Sequence, residues 1–338
     1  LDLKFDPAYT LRAGKFTAPV GLERLQSSSA LTFVERGLPS EIAPNRELGV
    51  QLQGDLFNST VSYALGYFNG STDGRDEAAT DVDNRKEVGA RLWTEPFKND
   101  PGLLQGLGFG VGGTVGPKLQ GNANSTNANN FLPRYRSPGQ AQVFAYRSTA
   151  STATASAAGT TGVYADGDVV RISPQASYYR NSFGLLGEYI TSKQDLAITN
   201  TPAGPGTPVS FAEKLENKSW QAVATYVLTG EDASYRGVAK PDKPYTVGGP
   251  GWGALELTAR YGELEIDKDA FPTFANPTTS VSKIESWTLG LNWYLTSNVK
   301  TALNYTNTSF EGGGGGTNAA PIDREDEKTV FARLQLSF

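Results

Sequence analysis

The chain has no cysteine, no histidine and no methionine in its 338 residues. Without a thiol or an imidazole it cannot build a zinc site, a thiolate nucleophile, a haem ligand or a Ser-His-Asp triad, which removes most hydrolase and metalloenzyme chemistries. No cofactor or metal is expected, and no enzymatic activity. Disulfides are excluded too, so no bridge pattern marks the redox compartment, and an oxidising periplasmic route stays compatible. A basic excess is also lacking: 30 Lys and Arg stand against 35 Asp and Glu, a net charge of −5. That balance argues against a nucleic-acid partner. Leu1 instead of Met reads as a processed end or the first residue of a fragment. Finally, no apolar run reaches the roughly 18 residues of a membrane helix, and the mean hydropathy is −0.37. A membrane β-barrel passes through that exclusion, because it shows lipid an apolar side chain only at every second position.

Period two is what the sequence does have. From Ser286 to Leu295, Trp287, Leu289, Leu291, Trp293 and Leu295 alternate with Ser286, Thr288, Gly290, Asn292 and Tyr294. After Ser297-Asn298, Val299, Thr301, Leu303 and Tyr305 alternate with Lys300, Ala302, Asn304 and Thr306, which predicts a tight hairpin. Equivalent segments surround Tyr63, Leu92, Trp220 and Leu257, and one ends the chain at Phe338. About fourteen strands of bilayer-crossing length result. Their connections fall into short turns such as Phe57-Asn58 and Asn181-Ser182 and long polar loops such as 70–84, 119–130, 150–167, 197–208 and 311–324. The run Gly312 to Gly316 and the Ala/Ser/Thr tract from Ser148 to Thr161 read as flexible external loops. A soluble sandwich also alternates, but its polar face would be rich in Lys and Glu. Here that face is mostly Ser, Gly, Asn, Thr and Gln, as suits a wet lumen, with Trp and Tyr near segment ends as in an aromatic girdle. The expected fold is therefore all-β, a single transmembrane antiparallel barrel in the outer membrane of a Gram-negative bacterium.

One stretch breaks the pattern. Residues 17–46 are too long for a turn and too apolar for a mobile loop, and the lumen is where they can pack. Ser27 to Ser29 would cap a short helix through Leu31, Phe33 and Val34, ended by Gly37 and Pro39. By alternation Arg85, Arg91, Arg171, Arg260, Lys300 and Arg333 point into the lumen, as do Glu87, Glu188 and Glu256. Those acids matter, since a lumen of mixed sign selects anions poorly.

The run Leu11 to Phe16, the motif Gly21-Leu-Glu-Arg24, the serines Ser27 and Ser28 and the pair Glu35-Arg36 resemble the phosphate-selective porins O and P. So do Tyr226 to Glu231, Thr288 to Tyr294 and the ending Arg333 to Phe338. The resemblance implies a sixteen-stranded homotrimeric porin with an inward-folded third loop and a basic lumen that draws in anions such as phosphate. It implies anion contacts at the constriction from Arg24, Ser27, Ser28 and Arg36, with Arg134 and Arg136 matching a further arginine-rich stretch. It also implies that strands precede Leu1. Outer-membrane lipid and lipopolysaccharide are the expected surroundings. Beside that reading, Ser27 and Ser28 read as helix caps ahead of ligands, while Arg24 and Arg36 serve equally as pins for the loop and Arg134 and Arg136 as exposed loop residues. A general or weakly cation-selective diffusion porin remains the alternative function.

Overall fold

The computed structural model describes residues 1–76, 86–121, 131–147, 161–200 and 209–337. Its first strands are β1 (Asp2–Asp6), β2 (Tyr9–Thr17), β3 (Arg46–Leu56), β4 (Val61–Phe68), β5 (Glu87–Thr94) and β6 (Leu107–Gln120), followed by the short β7 (Arg134–Arg136) and β8 (Gln142–Ala145). The long strands β9 (Thr161–Arg180), β10 (Phe183–Asn200) and β11 (Val209–Val227) come next. The chain closes with β12 (Ala254–Glu265), β13 (Val281–Tyr294), β14 (Val299–Thr317), β15 (Ala320–Asp323) and β16 (Glu327–Leu336). All but β7 and β8 join one 14-stranded antiparallel sheet in chain order, with β15 and β16 both on β14. Among the described residues β1 and β16 are not paired with each other, so the wall is not closed on itself.

Alternation sets the two faces. On β12, Glu256, Thr258 and Arg260 are buried while Leu257, Ala259 and Tyr261 are exposed. On β13, Thr288 and Asn292 turn inward while Trp287, Leu289 and Leu291 turn outward. An exposed band of Leu, Val and aromatic side chains makes sense only if its solvent is lipid, since a soluble protein does not leave so much apolar area in water.

Three sequence expectations need correction. The glycine run at 312–316 is strand, not loop: β14 continues to Thr317, and β15 pairs back on it through Gly313, Gly316 and Thr317. Several of these glycines have positive φ, which lets the strand twist where a side chain would be strained. The 150–167 loop is likewise shorter than expected, since β9 begins at Thr161. Third, the turn end is not uniformly short, because 228–253 joins β11 to β12 there and folds back over the interior. Residues 148–160, Arg85 and Phe338 lie outside the described residues.

The interior holds an apolar core above the polar lumen. β7 and β8 form a hairpin whose Tyr135 and Phe144 stack at 5.4 Å, with Tyr146 edge-on to Phe144 at 4.9 Å. These rings pack with Leu38, Ile42, Ile190, Leu215, Leu264 and Ile284 in one buried cluster. Burying each such side chain is worth about 1.5–3 kcal/mol. The aromatic residues of the hairpin thus draw it inward.

Candidate functional site

Residues 18–45 run across the inward faces of the wall, held by specific bonds. Close approach begins at Pro19, which sits against Gly89 and Gly112; a Cβ on Gly112 would lie 2.5 Å from the Pro19 carbonyl oxygen. Leu22 donates its amide to Glu188 Oε2 at 2.5 Å, Glu23 donates to Oε1 at 3.3 Å, and Gln221 Nε2 donates to the same carboxylate at 2.8 Å. Glu23 points the other way, pairing with Arg260 at 3.3 Å and accepting the Gly37 amide at 2.7 Å. A Cβ on Gly37 would stand 1.8 Å from Gln221 Oε1, so a side chain there would displace Gln221.

Farther along, the wall binds the loop backbone nearly residue by residue. Arg333 Nη2 donates to the Ser28 carbonyl at 3.1 Å and Gln335 to that of Ser29 at 3.0 Å. Lys300 Nζ donates to the Leu31 carbonyl at 2.8 Å, Asn292 to that of Thr32 at 2.9 Å, and the Val34 amide donates to Asn304 at 2.7 Å. These bonds take carbonyls that a helix would use internally, which is why the expected helix over 27–34 is absent. The one helical turn, α1 (Pro39–Ile42), instead starts at Pro39, whose missing N–H costs nothing at that position.

The sequence-derived candidates are distributed as follows. Arg24 is buried and donates to the Ser40 carbonyl within the loop. Burial, with Arg36 close by, lowers its guanidinium to about 10, so it stays charged at neutral pH. Arg36 is half-buried and clamps the carbonyls of Gln26 at 2.7 Å and Glu23 at 3.4 Å. Ser27 and Ser28 are exposed, with Ser27 Oγ 2.9 Å from Ser29 Oγ. Arg134 and Arg136 lie on β7, where Arg75 donates to the Arg134 carbonyl at 2.7 Å and the Arg136 amide donates to Glu41 at 2.8 Å. Arg171 is a fixed hub, bonded to Asp73 at 2.7 Å, Glu87 at 2.8 Å and the Ser71 carbonyl at 2.8 Å, and only 1% exposed. Arg91 donates to Gln175 at 3.1 Å and lies over Trp93. Arg260, Lys300 and Arg333 face inward on β12, β14 and β16, and Lys300 also lies over Tyr294 at 4.8 Å.

Several contributors were not visible in the sequence. Glu23 enters the sequence reading only within the motif Gly21-Leu-Glu-Arg24. Asp73 is 98 residues from Arg171 and sits in a loop without pattern. Tyr235 and Arg236 come from the turn-end segment, where Tyr235 Oη donates to the Leu22 carbonyl at 2.5 Å and Gln26 Nε2 donates to the Tyr235 carbonyl at 2.7 Å. The infolded loop is thus braced from the turn end as well as from the wall. Arg236 lines two cavities of about 500 Å³ each, one reaching Lys300, Ser27 and Gln335, the other reaching Arg91, Trp93 and Tyr179.

The charges sort by partner. Among the inward acids, Glu87 pairs with Arg171, Glu188 accepts from the Leu22 and Glu23 amides and Gln221, and Glu256 accepts from Asn292 and Tyr294 at 2.9 and 2.8 Å, while the buried Glu47 accepts the Gly70 amide at 3.2 Å and makes no ion pair among the described residues. Glu87, Glu188 and Glu256 are all buried. By contrast, Arg24, Arg36, Arg91, Lys300 and Arg333 make no ion pair with a carboxylate among the described residues. Their donors rest on carbonyls, an amide or rings, as the carboxylates of Glu188 and Glu256 rest on amides and a phenol.

Comparison with known proteins agrees with the sequence motifs. Porin O of Pseudomonas aeruginosa is 24% identical over 309 residues, covering 89% of this chain and 65% of that protein. This chain therefore spans just under two thirds of that relative's length. Among solved structures, the outer membrane channel DcaP of Acinetobacter baumannii matches with a TM-score of 0.47 at 9% identity, over 96% of this chain and 71% of that one. OprB of Pseudomonas putida, in its high-pH structure, matches with a TM-score of 0.49 at 9% identity, over 100% and 71%. The profile of the phosphate-selective porins O and P covers residues 1–338, and the chain belongs to that outer-membrane family.

Proposed function

We propose that the protein is a passive outer-membrane diffusion channel for anions, with phosphate or a related oxyanion as its solute. The observation that carries the reading is a set of inward bases, Arg36, Arg91, Lys300 and Arg333, that make no ion pair with a carboxylate among the described residues. A fixed positive field in a low-dielectric throat concentrates anions and lowers their entry barrier. Forked guanidinium donors and the hydroxyls of Ser27 and Ser28 suit the oxygens of phosphate. Because each base keeps a protein acceptor, an anion is held weakly at any one of them and passes on. Residues 17–46 form the constriction in this reading, and the assembly is a homotrimer.

Reversal potentials of the purified pore in a planar bilayer under a salt gradient test the sign of selectivity, and phosphate added to a chloride solution tests the solute. Anion preference, with phosphate reducing the chloride current, is expected. A cation-preferring pore would replace this reading with the general diffusion porin.

A further inference from the structure

Of the inward bases without a carboxylate partner, Arg91 is the one that does not bond the 18–45 loop. Its Nε donates to Gln175 Oε1 at 3.1 Å, and the Gln175 amide nitrogen donates in turn to Ser173 Oγ at 3.2 Å, which orients the amide and with it the guanidinium. Nη1 and Nη2 of Arg91 make no hydrogen bond among the described residues. The guanidinium lies over Trp93, 4.9 Å from the ring centroid. Trp93 is packed in place by glycines on β6: a Cβ on Gly108 would come within 2.5 Å of Cζ2, and one on Gly110 within 3.0 Å of Cε3. A forked donor is thus held in one orientation with its two outer nitrogens unused.

Arg91 lines the turn-end cavity of about 500 Å³ together with Leu22, Leu25, Trp93, Tyr179 and Tyr235. Sites for small molecules occupy roughly 300–1,000 Å³. Two apolar clusters supply its walls. Leu22 and Trp93 belong to one, with Tyr235 packed on it, and Tyr179 packs on the other, formed by Val227, Val238 and Tyr294 among others. The Tyr179 amide is tied to the Gly106 carbonyl at 3.1 Å, which fixes the ring's base at the cavity edge.

The charges at the cavity are nearly balanced. Arg236, exposed and on the same lining, is a second guanidinium without an ion pair among the described residues. Against the two arginines stand Glu95, which accepts from Trp93 Nε1 at 3.1 Å and pairs with Lys98 at 3.2 Å, and Glu188, which lies close to Arg91 and accepts from the Leu22 and Glu23 amides. Such a balance suits a singly charged anion better than a multiply charged phosphate. Two parallel N–H donors match the edge of a carboxylate. The leucine and tyrosine walls give a flat ring aromatic partners, whereas phosphate has no apolar part to place there.

We propose that this cavity is a binding site for small aromatic carboxylates, with Arg91 as the carboxylate contact and Tyr179 and Tyr235 beside the ring. The proposal rests on the anion-channel reading and adds a second solute class to it.

Single pores of the full-length protein in a planar bilayer test it, with benzoate or cyclohexanecarboxylate added to potassium chloride at neutral pH. Both are monoanions there, and the saturated ring is the more hydrophobic, so unspecific partitioning would favour cyclohexanecarboxylate. Benzoate should instead reduce the chloride current at a concentration about fivefold lower, the advantage expected of one aromatic contact. Arg91→Gln should weaken both carboxylates, whereas Tyr179→Leu should act on benzoate alone. Equal potency of the two in a wild-type pore that prefers anions would overturn the site and leave the anion-channel reading standing, and that arm needs no variant to fold. A wild-type pore that prefers cations would overturn the channel reading and the site with it. An undiminished benzoate advantage in Tyr179→Leu would also overturn the site.

Discussion

Leu22 in the infolded loop donates its amide to Glu188 on the wall at 2.5 Å, across 166 residues of sequence. The same carboxylate accepts the Glu23 amide and Gln221, so a single wall side chain fixes the loop where it crosses the interior. Removing the acceptor leaves buried donors without partners, at about 1–3 kcal/mol each. Glu188→Ala should therefore lower thermal stability, raise open-channel current noise and speed hydrogen exchange at residues 20–26. Unchanged exchange there would show that Arg260 and Glu23 hold the loop alone.

Arg171 anchors a second loop through Asp73, Glu87 and the Ser71 carbonyl. Breaking a buried ion pair by deleting one partner costs about 3–5 kcal/mol, because the remaining charges stay uncompensated. Arg171→Ala is expected to be among the most destabilising lumen substitutions, and Arg171→Lys to rescue only part of it, since an ammonium cannot span the same fork of acceptors. Thermal unfolding in detergent, followed by circular dichroism, checks both.

Charge removal at Lys300 or Arg333 should shift the reversal potential toward cations while leaving neutral-sugar permeation nearly unchanged. Arg24→Ala should act in the same direction through its field, although its guanidinium is buried against the Ser40 carbonyl. Arg24→Lys should keep most of the charge effect. If none of the three charge-neutralising changes moves the potential, the lumen bases do not set selectivity.

Burial raises the carboxyl groups of Glu35 and Glu41 above their ordinary range, with nearby arginines pulling the other way. Both therefore protonate at a higher pH than a free glutamate as the solution is acidified, and the interior becomes more positive. Anion preference should increase on acidification, beginning above the usual carboxylate range. The folded state binds these protons more tightly than the unfolded chain, so their contribution to stability falls as pH rises through that window. Glu35→Gln combined with Glu41→Gln should flatten both effects, as read by reversal potential and melting temperature against pH.

Tyr235 joins the turn-end segment to the loop between β2 and β3 through the Leu22 carbonyl and Gln26. Tyr235→Ala should merge the two flanking cavities and raise single-channel conductance, whereas Tyr235→Phe should keep the ring and change conductance little. An unaltered conductance in Tyr235→Ala would place the narrowest point elsewhere.

The wall was legible in the sequence because a strand with lipid on one side and water on the other must alternate at every residue. Leu257, Trp287 and Leu303 face outward, and Glu256, Arg260 and Lys300 inward, as that period requires. Residues 17–46 were also readable as a break in that period. Tertiary structure decided the remainder. Whether Glu188 is a lumen charge or a tether depends on the Leu22 amide reaching it, and periodicity carries no distance information. The same holds for Arg171 with Asp73, for Tyr235 with Leu22, and for the inward hairpin around Tyr135 and Phe144. Each joins segments far apart in the chain, where burial strips water from polar groups and the nearest complementary partner, wherever it lies in sequence, must satisfy them.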